Sequence, residues 1–334
     1  MNNNQVLAVF VSLPHFNIAA PGDGRTPMDI SDDNFFVQTN PGRVIVAAMF
    51  PPVATNNPTA VKADVQTAYL TMFPQGDHAF VARVFGWAED CFAGRHPDYQ
   101  PIDARYHDFE HTLQGTLCMA RLLRCRQASG VQPQLSQREF ELGLVGILLH
   151  DTGYLKRRDD DSPGTGAKYT ATHVLRSLEF AHQLLTAKGF SAADIHAVQN
   201  MIRCTGIDAF LESISFESDA ERIVGHALGT ADLLGQMAAD DYVEKLPVLY
   251  DEFQEAAQHD RGHTDFITKF GGAHDLMQRT PGFWRDYVLP KLDKDFVGLH
   301  RFLNQPYPNG RNWYVERIEA NMGRIQEKVA IAIR

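Results

Sequence analysis

From about residue 62 to the C-terminus, apolar side chains recur at spacings of three and four with few breaks. "VKADVQTAYLTMF", "HAFVARVFGWAEDCFAG" and "TLQGTLCMARLLRC" each gather their apolar residues on one side of a 3.6-residue helix. A rhythm held over that length leaves little chain for strands. The expected fold is therefore all-α, a multi-helix bundle over residues 62–334. Residues 1–61 read differently, with short β-branched runs such as "RVIVAAMF" between the turn signals "PGDG", "NPGR" and "PPVATNNP". This part is expected to be a short strand-and-loop extension. At 334 residues the chain can bury a core that needs no staples.

Local signals place the helix ends. Asp103 is the expected N-cap of the helix carrying "YHDFEHT", and Ser136 with Glu139 forms a capping box for "SQREFELGLVGILLHDTGYL". That second helix is almost wholly apolar, hence buried on most sides, and Gly153 is its natural stop. The loop "KRRDDDSPGTGAKYT" follows, then helices near 170–188, 191–203 and 219–238. The last third gives further helices punctuated by Pro281, Pro290, Pro306 and Pro308.

A net charge of −10 argues against a nucleic-acid polymer or a membrane surface as partner. It leaves room for a small anionic substrate held by a bound cation. The four cysteines form no CxxC pair, which fits reduced core residues in a reducing cytosol. The opening "MNNNQVLAVFVSLP" lacks a basic n-region and reads as a strand rather than a signal peptide. No run reaches the ~18 apolar residues that a transmembrane helix needs. The expected location is cytoplasmic, and a homo-oligomer is compatible with all of this.

The chemistry collects on a few positions. His107 and His111 stand four apart, so one helix would aim both imidazoles at the same region. His150–Asp151 ends the most apolar helix, where an imidazole and a carboxylate are costly to bury without compensation. A metal ion compensates them; so does a helix C-terminus at the surface, which welcomes histidine. Asp232, in "HALGTADLLGQM", has no basic residue three or four positions away. It is either a metal ligand or a buried cap or hydrogen-bond partner. Nitrogen and oxygen donors of this kind suit Zn, Mn, Fe or Mg rather than an all-thiolate site.

The order of these elements across separate helices, H…HD…D, resembles the HD-domain superfamily of metal-dependent phosphohydrolases. "YHDFEHT" is similar to the Y-H-N-x-x-H segment of cyclic-nucleotide phosphodiesterases, with Asp108 where Asn is usual, and "HDTGYL" is closer to bacterial HD phosphohydrolases. The resemblance implies that His111, His150, Asp151 and Asp232 are the metal ligands, with Asp151 bridging to a second ion. It makes His107 the proton donor and gives His107 and Asp151 the catalytic roles. One or two divalent ions are implied, drawn from Mn, Fe, Mg, Ni and Zn. Such an ion lowers the pKa of bound water to about 7, so that hydroxide can attack phosphorus near neutral pH.

The chain departs from the phosphodiesterase pattern at two places. Gly229 stands where a histidine would precede the final Asp, with His226 on another face, and Tyr154 occupies the fifth position of H-D-x-x-H. Among bacterial relatives, His173 matches a further ligand; it is a second-metal ligand, a substrate contact or an ordinary polar residue. Cys204 replaces a histidine expected near it and reads more readily as a buried thiol. The loop after Asp151 offers Lys156 and Lys168 as phosphate contacts, unless its charges are spent within the loop. Gln236, one turn beyond Asp232, faces a metal water, a base or solvent. The C-terminal aromatics supply a stacking wall or plain core.

The expected function is thus hydrolysis of a small phosphoester, a nucleotide or cyclic nucleotide foremost. Two alternatives are an HD-fold diiron oxygenase, which needs a fuller histidine set, and a non-catalytic nucleotide sensor, which would have a broken metal set.

Overall fold

The computed structural model describes residues 50–206, 210–259 and 270–332. The strand-and-loop reading of the N-terminal extension falls, up to residue 49, outside the described residues. Ten α-helices carry the described chain, with a single two-stranded ladder pairing Asn304–Gln305 with Arg311–Asn312. The all-α expectation holds.

Helix α1 (Pro58–Met72) starts four residues ahead of the expected change at 62. Asn57 caps it by accepting from the Thr59 and Ala60 N–H groups, and Pro58 gives the first position its preset φ. After α2 (Phe80–Phe92) comes α3 (Phe109–Ala128), and here the expected start is wrong. Its N-cap is Asp108, whose Oδ1 accepts from the His111 N–H at 2.9 Å. Asp103 is engaged elsewhere, accepting from Gly166 N at 2.7 Å and pairing with Lys156 Nζ at 2.6 Å. His107 therefore precedes the helix that carries His111.

Helix α4 (Gln137–Leu149) has the Ser136–Glu139 capping box in full. It ends before Gly153, at His150, because its last carbonyls find partners there. The His150 ring accounts for the Ile147 carbonyl at 2.7 Å, and the Thr152 hydroxyl donates to the Leu149 carbonyl at 2.7 Å. Gly153 lies in the short 3₁₀ turn Thr152–Tyr154 instead, where a Cβ would sit 1.9 Å from the His173 carbonyl oxygen. The residue that was to stop the helix lets α5 press against this turn.

Helices α5 (His173–Ala187), α6 (Ala192–Arg203) and α7 (Asp219–Met237) lie where the periodicity puts them. Then come α8 (Tyr242–His259), α9 (Ala273–Phe283) and α10 (Trp313–Ala332). The centre is the crossing of α3 over α7, flanked by α4. That crossing is backbone on backbone: a Cβ on Gly235 would meet the Gln114 carbonyl oxygen and Gly115 N at 2.7 Å. His111 and Asp232 stand about one turn back from it on their own helices, so the close approach aims them at each other.

The C-terminal aromatics divide. Trp284 is buried and donates from Nε1 to Glu319 Oε1 at 2.6 Å, whereas Phe283 reaches the cavity described below. All four cysteines are free, and Cys91, Cys118 and Cys204 are buried. No helix among the described residues is long and apolar enough to cross a membrane.

Candidate metal centre

Three helices deliver four donors to one buried point. From the first turn of α3, His111 Nε2 lies 3.1 Å from Asp151 Oδ2 and 3.2 Å from Asp232 Oδ1. From the end of α4, His150 Nε2 lies 3.2 Å from Asp151 Oδ2 and 3.5 Å from Asp232 Oδ1. With bonds of ~2.1 Å, neighbouring ligand atoms stand roughly 3.0 Å apart in an octahedron and 3.4 Å apart in a tetrahedron. The His–Asp separations fall in about that range, and the His111, His150 and Asp151 donors lie close enough together to hold one ion, with Asp232 Oδ1 beside the two histidines.

The chemistry of the set agrees with the spacing. His150 directs Nδ1 to the Ile147 carbonyl, which fixes its tautomer and leaves Nε2 a lone pair facing inward. His150 Nε2 and Asp151 Oδ2 are buried, and neither has a properly angled hydrogen-bond partner. Polar atoms left so in a core are rare and costly. Burial opposes charge on all four residues. For Asp151 and Asp232 it is outweighed by the two histidines, which hold both carboxyls well below the usual range. For His111, burial is outweighed by Asp151 and Asp232, which push it up to about 9; His150 is raised in the same way. The two carboxylates thus demand two positive charges at this point, which protons on the imidazoles or a divalent cation can supply.

His107 is brought to the edge of this cluster, its ring centroid 5.4 Å from that of His111. Glu252 of α8 places it. Glu252 Oε2 lies 2.6 Å from His107 Nδ1, while Oε1 accepts from the Arg105 and Tyr106 N–H groups at 2.7 Å each. Despite burial, those bonds and the facing imidazole keep Glu252 below the usual carboxylate range, so it stays ionised. Sequence reasoning missed Glu252. The one signal was an acidic residue on the apolar side of "VLYDEFQEAA", and nothing local links it to His107.

His173 opens α5 and sets Nδ1 2.6 Å from the Thr170 carbonyl, which leaves Nε2 inward, 3.9 Å from Asp151 Oδ1. Burial holds it below the ordinary histidine range, hence neutral. Tyr154 stacks on both His107 (4.3 Å, 12°) and His173 (4.8 Å, 22°), whose own ring centroids are 6.3 Å apart, a cluster that the sequence reading did not foresee. Gln236 lies beside Asp232; its Nε2 donates to the Asp232 carbonyl at 3.1 Å and its Oε1 accepts from Tyr106 Oη at 2.8 Å.

The two lysines are not brought in. Lys156 pairs with Asp103 and donates to the Gly164 carbonyl at 3.2 Å, and buried Lys168 pairs with Asp160 at 2.9 Å and donates to Ser162 Oγ at 2.6 Å. Their charges are answered by Asp103 and Asp160, so the expectation of a phosphate contact is corrected. Cys204 also turns away, toward the Asn200 carbonyl, with burial pushing its thiol up to about 12. At position 229 a side chain would strike the Cys204 carbonyl oxygen and the Phe296 ring, so glycine there reflects packing.

The cluster opens into a cavity of about 370 Å³ lined by His107, His111, Asp151, Tyr154, His173, Asp232 and Gln236 together with residues of α5, α7, α8 and the segment after α6. A family model described as Npun_R2479-like matches residues 60–313, from the first turn of α1 to the first residue of α10, and so spans every residue of this centre. No curated protein matches the chain.

Proposed function

The chain belongs to the Npun_R2479-like family, and from its donor set we propose that it is a divalent-metal-dependent phosphohydrolase of HD-domain type acting on a small phosphoester. The observation that carries the reading is that His111 and His150 each stand within 3.1–3.5 Å of both Asp151 and Asp232, the four coming from three helices, with a histidine–glutamate pair at the rim. These four residues would hold the ion, and His173 stands where it could join Asp151 at a second one. The ion supplies Lewis acidity and an acidified water.

The protein's own groups do the rest. Hydrolysis adds the oxygen of water to phosphorus and breaks the P–O bond to the leaving group. His107, fixed through Nδ1 by Glu252, presents Nε2 to the cavity and gives its proton to the departing oxygen. The proton released by water restores it. Such donation contributes typically ~10²–10⁴-fold. The ionised Glu252 holds His107 through Nδ1, which sets the direction of the ring. Tyr154, stacked on the His107 ring, prevents it from swinging away.

The oxygenase alternative gains nothing from the geometry, since Cys204, at the position where a further histidine was wanted, faces the core. The test is a pair of substitutions assayed on a phosphoester panel with added Mn²⁺, Mg²⁺, Fe²⁺, Ni²⁺ or Zn²⁺. Asp151→Ala abolishes turnover and lowers the bound metal measured by elemental analysis. His107→Ala loses turnover and keeps its metal. If both variants hydrolyse normally, the roles assigned here are wrong.

A further inference from the structure

We infer that the phosphoester for this site carries one phosphoryl group on a bulky, uncharged, largely apolar body, and that the cavity beyond the donors is a pocket for that body. The inference rests on the phosphohydrolase reading at the phosphoryl end only; the walls carry the rest. Away from the donors the cavity is lined by Val174, Leu233, Met237, Leu249, Phe253 and Phe283. At its mouth stand Leu175 and Phe210, 62% and 69% exposed, two of the six large apolar side chains that the described residues leave exposed. Contiguous apolar surface running from solvent into a cavity marks a place where apolar ligand is taken up. At ~30 Å³ for each water-sized group, the whole cavity admits a ligand of roughly a dozen heavy atoms, its phosphoryl group included.

Four hydroxyls on the walls point the same way, because their donors are already used. Thr170 donates to Ala167 O, Thr172 to Tyr169 O, Thr205 to Ile202 O and Ser213 to Phe210 O, each bond turned back into the wall. Gln236, the residue placed to read a nucleobase edge, has its oxygen taken by Tyr106 and its amide by the Asp232 carbonyl. Arg203 is the one arginine or lysine lining the cavity among the described residues. One guanidinium matches one remaining phosphoryl charge and not a polyphosphate.

The experiment is calorimetric titration of the full chain, loaded with Mn²⁺, with n-alkylphosphonates from methyl to octyl, alongside phenylphosphonate, AMP, cyclic AMP and ADP. Phosphonates are not hydrolysed, so binding is read without turnover. Affinity is expected to rise about fourfold per added methylene once the chain reaches the wall, the factor for burying one CH₂. Leu175→Asp and Phe210→Asp, both at exposed positions that keep the fold, should flatten that slope. An affinity independent of chain length, or nucleotides binding more tightly than octylphosphonate, overturns the inference. Assaying the matching alkyl and aryl phosphate esters for hydrolysis separates the two claims. A length-dependent affinity without hydrolysis keeps the pocket and removes the phosphohydrolase; hydrolysis blind to length does the reverse.

Discussion

Asp232 has no basic neighbour on its own helix, and its charge is answered instead by His111 and His150 from two others. That is why a carboxylate can stand among alanines, leucines and glycines in α7. Glu252 is its counterpart across the cavity, since one carboxylate there holds two backbone N–H groups and an imidazole. Glu252→Gln keeps an acceptor for the backbone and removes the charge behind His107. Turnover should fall by roughly 10–10²-fold with bound metal unchanged. The Glu252→Gln/His107→Ala double variant should be no slower than His107→Ala alone, within about threefold. Additive losses in steady-state kinetics would show that Glu252 does not act through His107. A separate residue carries a pH signature. Burial, helped by Arg222, holds His226 down to about 4, from 6.5 in an unfolded chain. The unfolded form takes its proton first as pH falls, so this histidine costs the folded state stability from about pH 6.5 downward and levels off below about 4. Against His226→Leu, wild-type protein should lose on the order of 2 kcal/mol between pH 7 and 4.5 in urea unfolding. A difference that does not change with pH would contradict this.

Elements show where the chain speaks locally and where it does not. The capping box and the apolar run of α4 lie within one stretch, and both are legible because short-range hydrogen bonds and burial decide them. The start of α3 is not legible. Asp103 and Asp108 are equally good caps in isolation, and the choice is made by Lys156, Gly166 and Glu252, the last 144 residues beyond Asp108 in the numbering of the chain. His150–Asp151 and Asp232 are legible as candidates because costly groups in apolar helices need a partner, and His111 is singled out by the resemblance of its motif, whereas Glu252 and the Tyr154 contacts exist only through tertiary structure. Glycine in the middle of α7 likewise looks like a weakness and is a fitting. Gly→Ala in a helix interior ordinarily stabilises by ~0.5–1 kcal/mol. At Gly235 the new methyl meets backbone of α3 at 2.7 Å, which cannot yield as a side-chain tip can. Gly235→Ala should destabilise by ~1–3 kcal/mol and weaken metal binding, because the wedge parts His111 from Asp232. Gly323→Ala on α10, where a Cβ meets nothing within 4 Å, is the control that should not destabilise. Equal melting temperatures for the two variants would refute the account of the crossing.

For the whole molecule, the centre is a tie between segments far apart in sequence, so its occupancy bears on global stability. An ion that binds only the folded chain, at a hundred times its dissociation constant, adds about 2.7 kcal/mol. Chelation should then lower the melting temperature of the loaded protein by several degrees. The pH dependence follows from the metal-free state, in which Asp151 and Asp232 push His111 up to about 9. In that state the raised histidine contributes stability that is complete below about 6.5, its unfolded value, and is lost as pH rises through about 9. The ion needs the same nitrogen unprotonated, so binding expels at least one proton and tightens by about tenfold per pH unit until about 9. Metal-free protein thus loses stability over the interval in which the metal is held more firmly. The gap in melting temperature between loaded and chelated protein should therefore widen from pH 6.5 to 9, as scanning calorimetry can follow. A gap that narrows with rising pH would mean that the cation does not replace the protons of His111 and that these helices are tied in some other way.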